Sequence, residues 1–495
     1  MILALDQGTT SSRALLLDRD GRVVTVAQQA IAQTYPGPGW VEQDPLAIWQ
    51  AQLDTAREAL ARGSGSAADV AAIGITNQRE TTIVWERATG VPVAPAIVWQ
   101  DRRTADVCAA LRAAGHEPFV MRRTGLVLDP YFSATKLRWI LEHVPDGPRR
   151  ARRGELAGGT VDSWLVWNLT GGRLHVTDAT NASRTLLYDI HSGIWDDELL
   201  ELFGVPRALL PQVVDTSAVV GETERELFGE SLPIASLCGD QQAALFGQGC
   251  VAAGQAKVTY GTGCFLLAHT GAAPVASRHR LVTTVALQTG RRRTFALEGS
   301  AFVGGAAVGW LRDALGVFES SAQASALAAR VGAGEGGVFV PALAGRGAPH
   351  WDPAARGAFF GLTLGATPAH LARAVLEGIA FQVADLAAAV AADSGRALAE
   401  LRADGGASVS DVLLQFQADI LGAAVVRAAE PESTALGAAL LAGLAVGLWR
   451  DAGEVAALCR PGRRFEPDPT VERGALLERW RRAVAAVREF AASDG

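Results

Sequence analysis

MILALDQGTTSSRALLLDRDGRVVTV, residues 1–26, decides the fold class. Three apolar runs, Ile2-Leu3-Ala4-Leu5, Ala14-Leu15-Leu16-Leu17 and Val23-Val24-Thr25-Val26, alternate with two polar turns, Gly8-Thr9-Thr10 and Asp18-Arg19-Asp20-Gly21. That rhythm predicts a three-stranded antiparallel meander. Helical periodicity follows over 45–62, and 70–76 reads as a buried strand. A meander followed by strand–helix alternation predicts a mixed sheet covered by helices, an α/β fold.

The second half opens the same way. Residues 255–260 read as a strand, Gly261-Thr262-Gly263 as a tight turn and 264–269 as a strand. A further strand over 293–297 is expected to run into a turn at Glu298-Gly299-Ser300. Two halves built alike predict duplicated domains facing a cleft, 1–248 and 249–495, with the boundary in the glycine-containing stretch 247–254. The helical patterns at 368–392 and 435–448 are expected to cover the second sheet.

Composition excludes several classes. The chain has 495 residues, enough for substantial cores without disulfides. Its five cysteines, Cys108, Cys238, Cys250, Cys264 and Cys459, are scattered and contain no C-x-x-C pair, which argues against a disulfide framework or a zinc site. The net charge of −7 and the lack of a long basic run argue against nucleic acid as a partner. Lys136 and Lys257 are the only lysines; every other basic residue of this kind is arginine. Asp6 interrupts the N-terminal apolar run too early for a signal peptide, and the most apolar long stretch, 435–449, is shorter than a membrane span. The expectation is a cytoplasmic enzyme without an integral membrane segment.

Several short motifs carry chemistry. In the first hairpin, Asp6 to Arg13, glycine lets backbone approach a phosphate while N–H groups and hydroxyls donate to its oxygens. Asp6 is placed to hold a hydrated magnesium ion, and Arg13 to offset charge on a transferred phosphoryl group. A merely polar hairpin tip would read alike, and the P-loop spacing is absent. Gly261-Thr262-Gly263 is a second candidate phosphate turn, and Asp404-Gly405-Gly406-Ala407 a third. Asp240, after the apolar stretch 233–238, reads as a general base at a strand end, as a helix N-cap, or as both together. Arg79-Glu80 reads either as a polyol-binding pair or as a solvated ion pair, and Trp99 as a wall or as core.

Taken together, the segments ALDQGTTSSRA, YPGPGWVEQDP, IGITNQRETTIVW, AIVWQDRRTA, YFSATKLRWIL, HVTDATNASRT, GDQQAALFGQ, TYGTGCF, ALEGSAF and GAPHWDPAARGAFFGLT resemble the glycerol kinases of the FGGY carbohydrate kinase family, over nearly the whole chain. The resemblance implies two ribonuclease-H-like domains, of the actin/hexokinase type, hinged around a nucleotide cleft. It implies ATP-dependent phosphorylation of glycerol with Mg²⁺, and a homo-oligomer, dimer or tetramer. By matched position it implies that Thr9, Thr10, Ser11 and Arg13 contact the ATP phosphates. Arg79, Glu80, Tyr131, Asp240 and Gln241 would hold glycerol, with Trp99 and Phe265 as an apolar wall. Thr262, Gly305, Gly309, Gly406 and Ser410 would face the nucleotide, and Asp6 and Asp240 the metal. Gly309 and Ser410 replace amide side chains common in the family. The loop 221–232 lacks the glycine-rich, arginine-ending segment that binds a sugar bisphosphate inhibitor in some relatives, and it lacks a histidine. Two rivals remain: a kinase for another polyol or ketose such as xylulose, and a nucleotide-binding switch on the same fold without turnover.

Overall fold

The structure, a computed structural model, describes residues 1–63 and 66–493. The meander is present as Ile2–Gln7, Ser11–Leu17 and Val23–Ala30, paired antiparallel. Ile2–Gln7 is buried along its whole length, as its unbroken apolar run requires. On its other side lies Ala72–Asn77, parallel, then Pro233–Gly239, parallel, then Ser217–Glu222, antiparallel, completing a six-stranded sheet. The helix Pro45–Gly63 lies against the meander.

The second sheet repeats this order. Ala256–Tyr260, Cys264–Gly271 and Arg292–Ala301 form an antiparallel meander. Glu400–Asp404 and Ala424–Ala428 add in parallel and Pro461–Phe465 antiparallel, with Val282–Thr289 as an extra edge strand. Antiparallel meander, two parallel strands and an antiparallel strand therefore occur twice, in the same spatial order. Both central strands end at a glycine turn on the same edge of their sheet, and open α/β sheets bind ligands beyond such strand ends.

Two expectations are corrected. Residues 298–300 form no turn: Arg292–Ala301 is one continuous strand with Glu298 inside it, 1% exposed. Glu-Gly-Ser suggests a turn, but two distant arginines satisfy the buried carboxylate, so the strand continues. The helix Ser433–Ala445 does not cover the second sheet; it lies on the first, against Ile2–Gln7, Ala72–Asn77 and Pro233–Gly239, and beside the helix Asp240–Gly247. It is apolar on all sides, so its sequence offers no single face to orient it. Small residues set its seat: a Cβ on Gly437 would stand 1.9 Å from the Ala243 carbonyl oxygen, and one on Gly74 2.3 Å from that of Ala438. The helix Pro368–Ser394 packs in the core of the second half as expected. It is long and apolar enough to cross a membrane, yet 83% of its apolar window is buried within the protein. All five cysteines are free and buried.

Candidate active site

Arg79 and Glu80, two of the residues expected to bind substrate, stand on the loop after Ala72–Asn77. Asn77 is locked by reciprocal amide bonds with Asn181, at 3.0 and 3.1 Å. Glu80 has φ of 63°, a left-handed conformation unfavourable for a residue with a Cβ. Its carbonyl oxygen accepts from Thr82 Oγ1 at 2.9 Å, Ser133 Oγ at 3.1 Å and Lys136 Nζ at 3.3 Å, and these bonds hold the strained backbone. Lys136 also donates to the carbonyls of Tyr131 at 2.5 Å and Phe132 at 3.3 Å. Burial draws its pKa down to about 8.

Arg79 and Glu80 are not a solvated pair; they are 3% and 1% exposed. Arg79 grips Glu298 with both terminal nitrogens, at 2.6 and 3.1 Å, and donates to Gln242 Oε1 at 3.1 Å. Its Nε lies 3.2 Å from Asp240 Oδ1. Arg184 donates from Nε to Glu80 at 2.6 Å and from Nη2 to Glu298 at 2.9 Å, with its guanidinium 5.5 Å from the Tyr131 ring. The two carboxylates respond oppositely. Burial is the largest single influence on Glu298 and pushes it up, yet the charges and hydrogen bonds of Arg184 and Arg79 hold it down at about 2. Glu80, with one such bond, is raised by burial. Glu298, Arg184, Gln242 and Lys257 are site residues that sequence reasoning missed. Glu298 and Arg184 lie within the family-like segments ALEGSAF and HVTDATNASRT, but neither adjacency nor composition marks their pairing.

Asp240 is the first residue of Asp240–Gly247, and Gly239 is the N-cap, so the capping alternative falls away. Its side chain keeps 29% of its exposure, and its Oδ1 accepts from the Gln241 N–H at 2.7 Å. Burial raises its pKa, opposed by Arg79 and Lys257, so the carboxyl is a stronger base than an ordinary aspartate. Trp99 and Tyr131 meet edge to face with ring centres 5.6 Å apart, and Trp99 meets Phe265 at 6.3 Å. The three rings thus form one aromatic wall spanning both halves.

The first turn closes through Gly8 N–H to the Ser11 carbonyl at 3.0 Å, leaving Thr10 exposed. Thr9 is tied to the substrate loop by a relay of buried amides. Its carbonyl accepts from Gln43 at 2.6 Å, Gln43 accepts from Gln78 at 2.9 Å, and Gln78 accepts from Thr81 at 2.9 Å. Trp99 Nε1 donates to Thr9 Oγ1 at 2.9 Å. Ser11, 8% exposed, accepts from Gln28. Arg13 pairs with Glu432 at 3.2 Å and lies 3.8 Å from Asp6. Asp6 is raised to about 7 by burial, against the pull of Arg13, with Glu432 and Asp240 adding to the rise.

The second and third turns converge. Gly304 donates to the Thr262 carbonyl at 2.7 Å and Gly305 to that of Gly261 at 2.8 Å. Gly405, at φ of 86°, lies against Tyr260, where a Cβ would meet backbone at 2.7 Å. Gly305 and Gly309 are one helical turn apart on Gly305–Asp313, and Gly406 has open space above it. Ser410, 5% exposed, caps the helix Asp411–Leu421 by accepting from the Leu413 N–H, and it accepts from Ser325 Oγ at 2.8 Å.

Among the described residues, no group of three His, Cys, Asp or Glu side chains forms a metal cage. The donor set instead fits a hydrated divalent ion held by few carboxylates. Asp6 is buried, the Arg13 guanidinium lies 3.8 Å away, and the charge of Asp240 adds to the rise of its pKa.

The N-terminal domain of the FGGY family of carbohydrate kinases matches residues 1–247, and its C-terminal domain residues 256–446. The chain is 59% identical over 493 residues to a glycerol kinase of Aromatoleum aromaticum, covering 99% of each chain. It is 58% identical over 485 residues to one of Dechloromonas aromatica, covering 98% of this chain and 96% of that one. The structure resembles that of Plasmodium falciparum glycerol kinase with ADP, with a TM-score of 0.92, 34% identity and 98% of both chains covered. It also resembles xylulose kinase from Rhodospirillum rubrum, with a TM-score of 0.87, 28% identity and 99% of both chains covered.

Proposed function

The chain belongs to the FGGY family of carbohydrate kinases, and from that premise we propose that it transfers the terminal phosphoryl group of ATP to a terminal hydroxyl of glycerol, yielding sn-glycerol 3-phosphate and ADP. The observation that carries the reading is the position of Asp240. A part-exposed carboxyl stands just past the end of the strand Pro233–Gly239, touches Arg79, and is linked through Gln241 and Lys257 to the strand that leads into the second glycine turn. Asp240 takes the hydroxyl proton as that oxygen attacks the γ-phosphorus, and ADP leaves with the electron pair of the broken P–O bond. Arg79, Glu80, Tyr131 and Gln241 orient the hydroxyls, and the wall of Trp99 and Phe265 receives the carbon chain. Thr9, Thr10, Ser11 and Arg13 take the phosphates from one side; Thr262, Gly305 and Gly406 face the nucleotide from the other, and Gly309 offers it backbone alone. Mg²⁺, held through Asp6 and Asp240, would neutralise phosphate charge. Positioning and electrostatics supply most of the acceleration in such a transfer.

The division at 248/249 is supported by the repeated strand order, with the six-stranded sheet before it and the seven-stranded sheet after it. Closure of the two halves would exclude water as a competing acceptor. The buried pair Arg79-Glu80, backed by the packed rings of Trp99 and Tyr131, suits glycerol better than a larger ketose. A cytoplasmic setting accords with a kinase that draws on ATP, and a dimer or tetramer stays part of the proposal. The test is ADP release coupled to a spectrophotometric readout, with glycerol, xylulose and other polyols, with Mg²⁺ or EDTA, and with ATP or GTP. Glycerol with ATP and Mg²⁺ gives turnover. Asp240→Asn lowers kcat by about 10²–10⁴ while glycerol binding persists in calorimetry. Retained turnover in that variant excludes Asp240 as the base.

A further inference from the structure

The chain holds 45 lysines and arginines, yet only two are lysine, and both are wholly buried. Lys136 props the backbone of the substrate loop, as described. Lys257 stands on Ala256–Tyr260 in the second half, four residues before the second glycine turn begins, and it reaches across to the first half. Its Nζ donates to the side-chain oxygen of Gln241 and, at 2.7 Å, to Thr259 Oγ1.

We propose that Lys257 is a positioning residue that sets the hydrogen-bonding polarity of Gln241, turning its amide N–H₂ toward the substrate as a donor. The inference deepens the kinase reading and rests on it. A glutamine amide can face either way, and both orientations fill nearly the same space. An ammonium has three donors and no lone pair, so the atom that meets it must be the amide oxygen. Burial pulls the Lys257 pKa down, while Asp404, Asp240 and Glu298 hold it up, with Arg79 opposing them. With its oxygen taken, Gln241 presents only N–H₂, and among the described residues Nε2 has no hydrogen-bond partner. Gln241 is only part-buried and adjoins Asp240 at the start of Asp240–Gly247, so this donor pair opens toward the cleft. A polyol hydroxyl that gives its proton to Asp240 or Glu80 keeps lone pairs that need donors, and Gln241 supplies them. Arginine would not serve equally, because its wide planar fork replaces a compact point charge. That distinction accounts for a lysine in a chain otherwise written with arginine.

The test compares Lys257→Met, Gln241→Ala and the double variant for kcat and for KM of glycerol and ATP. Lys257→Met raises the glycerol KM about tenfold, the loss of roughly one good hydrogen bond, and leaves the ATP KM within about twofold. The double variant is no worse for glycerol than Gln241→Ala alone, because the two residues act as one unit. Independent, additive losses, or equal losses for glycerol and ATP, overturn the proposal. Gln241→Glu keeps a partner for Lys257 but has no N–H to offer, so it folds normally and loses glycerol affinity to the same degree. Unchanged glycerol affinity in that variant overturns the donor assignment even if Lys257→Met does not fold. Wild-type protein that releases no ADP with glycerol overturns the activity itself, whereas wild-type turnover with additive losses overturns this proposal alone.

Discussion

Replacing Glu298 by glutamine tests the electrostatic centre of the molecule. Glu298 belongs to the second half, while its partners Arg79 and Arg184 belong to the first. With Glu80 the cluster holds two positive and two negative charges, nearly all sealed from water. Removing one carboxylate leaves two buried guanidinium groups sharing Glu80 and the part-exposed Asp240. Losing one member of such a buried set costs about 3–5 kcal/mol. The depressed pKa gives a separate estimate. A drop from 4.5 to about 2, at about 1.4 kcal/mol per unit, corresponds to about 3–4 kcal/mol. Because the folded-state value lies below the ordinary one, this stabilisation is fully present above pH 4.5 and vanishes as the pH falls through about 2. Urea unfolding at pH 7 is therefore expected to place Glu298→Gln about 3 kcal/mol below the wild type, with the gap narrowing below pH 4.5. The glycerol KM should rise, since Arg79 loses its bidentate clamp, while the ATP KM should stay near the wild-type value. A variant within about 0.5 kcal/mol of wild type, with unchanged glycerol KM, refutes the argument.

Asp6→Asn should trade stability against turnover. The raised folded-state pKa of Asp6 means that its favourable contribution is complete below 3.8 and is lost as the pH climbs through about 7. At pH 8 the asparagine variant should therefore be more stable by as much as about 4 kcal/mol in urea unfolding, with turnover lost. Trp99→Phe keeps the aromatic wall but removes the bond to Thr9, so the ATP KM should rise about fivefold and the glycerol KM little. A larger change for glycerol would place the indole N–H in the substrate pocket. Arg79→Ala is a poor probe of glycerol binding alone, because it also dismantles the buried cluster; thermal unfolding should show it well below the wild type.

Much of the fold is legible along the chain because its signals are local. Ile2–Gln7, Ser11–Leu17 and Val23–Ala30 are apolar runs punctuated by glycine turns, and Pro45–Gly63 has helical spacing. What stays hidden depends on partners far away in sequence. Arg79 next to Glu80 looks like a surface pair until Glu298, 219 residues on, is brought beside it. Glu298-Gly299-Ser300 looks like a turn until two arginines stabilise its burial. Ser433–Ala445, apolar on every side, carries no mark of which sheet it joins. The glycine turns and the place of Asp240 after the apolar run 233–238 are legible because each follows a local apolar run.

That last helix has a consequence for any attempt to divide the protein. By chain order Ser433–Ala445 belongs to the later half, but it closes the floor of the earlier one. A fragment ending at residue 248 would expose Ile2, Ala4, Ala72, Ala235 and Ala243 to solvent, and should be recovered as aggregate unless a fragment carrying residues 433–445 is produced with it.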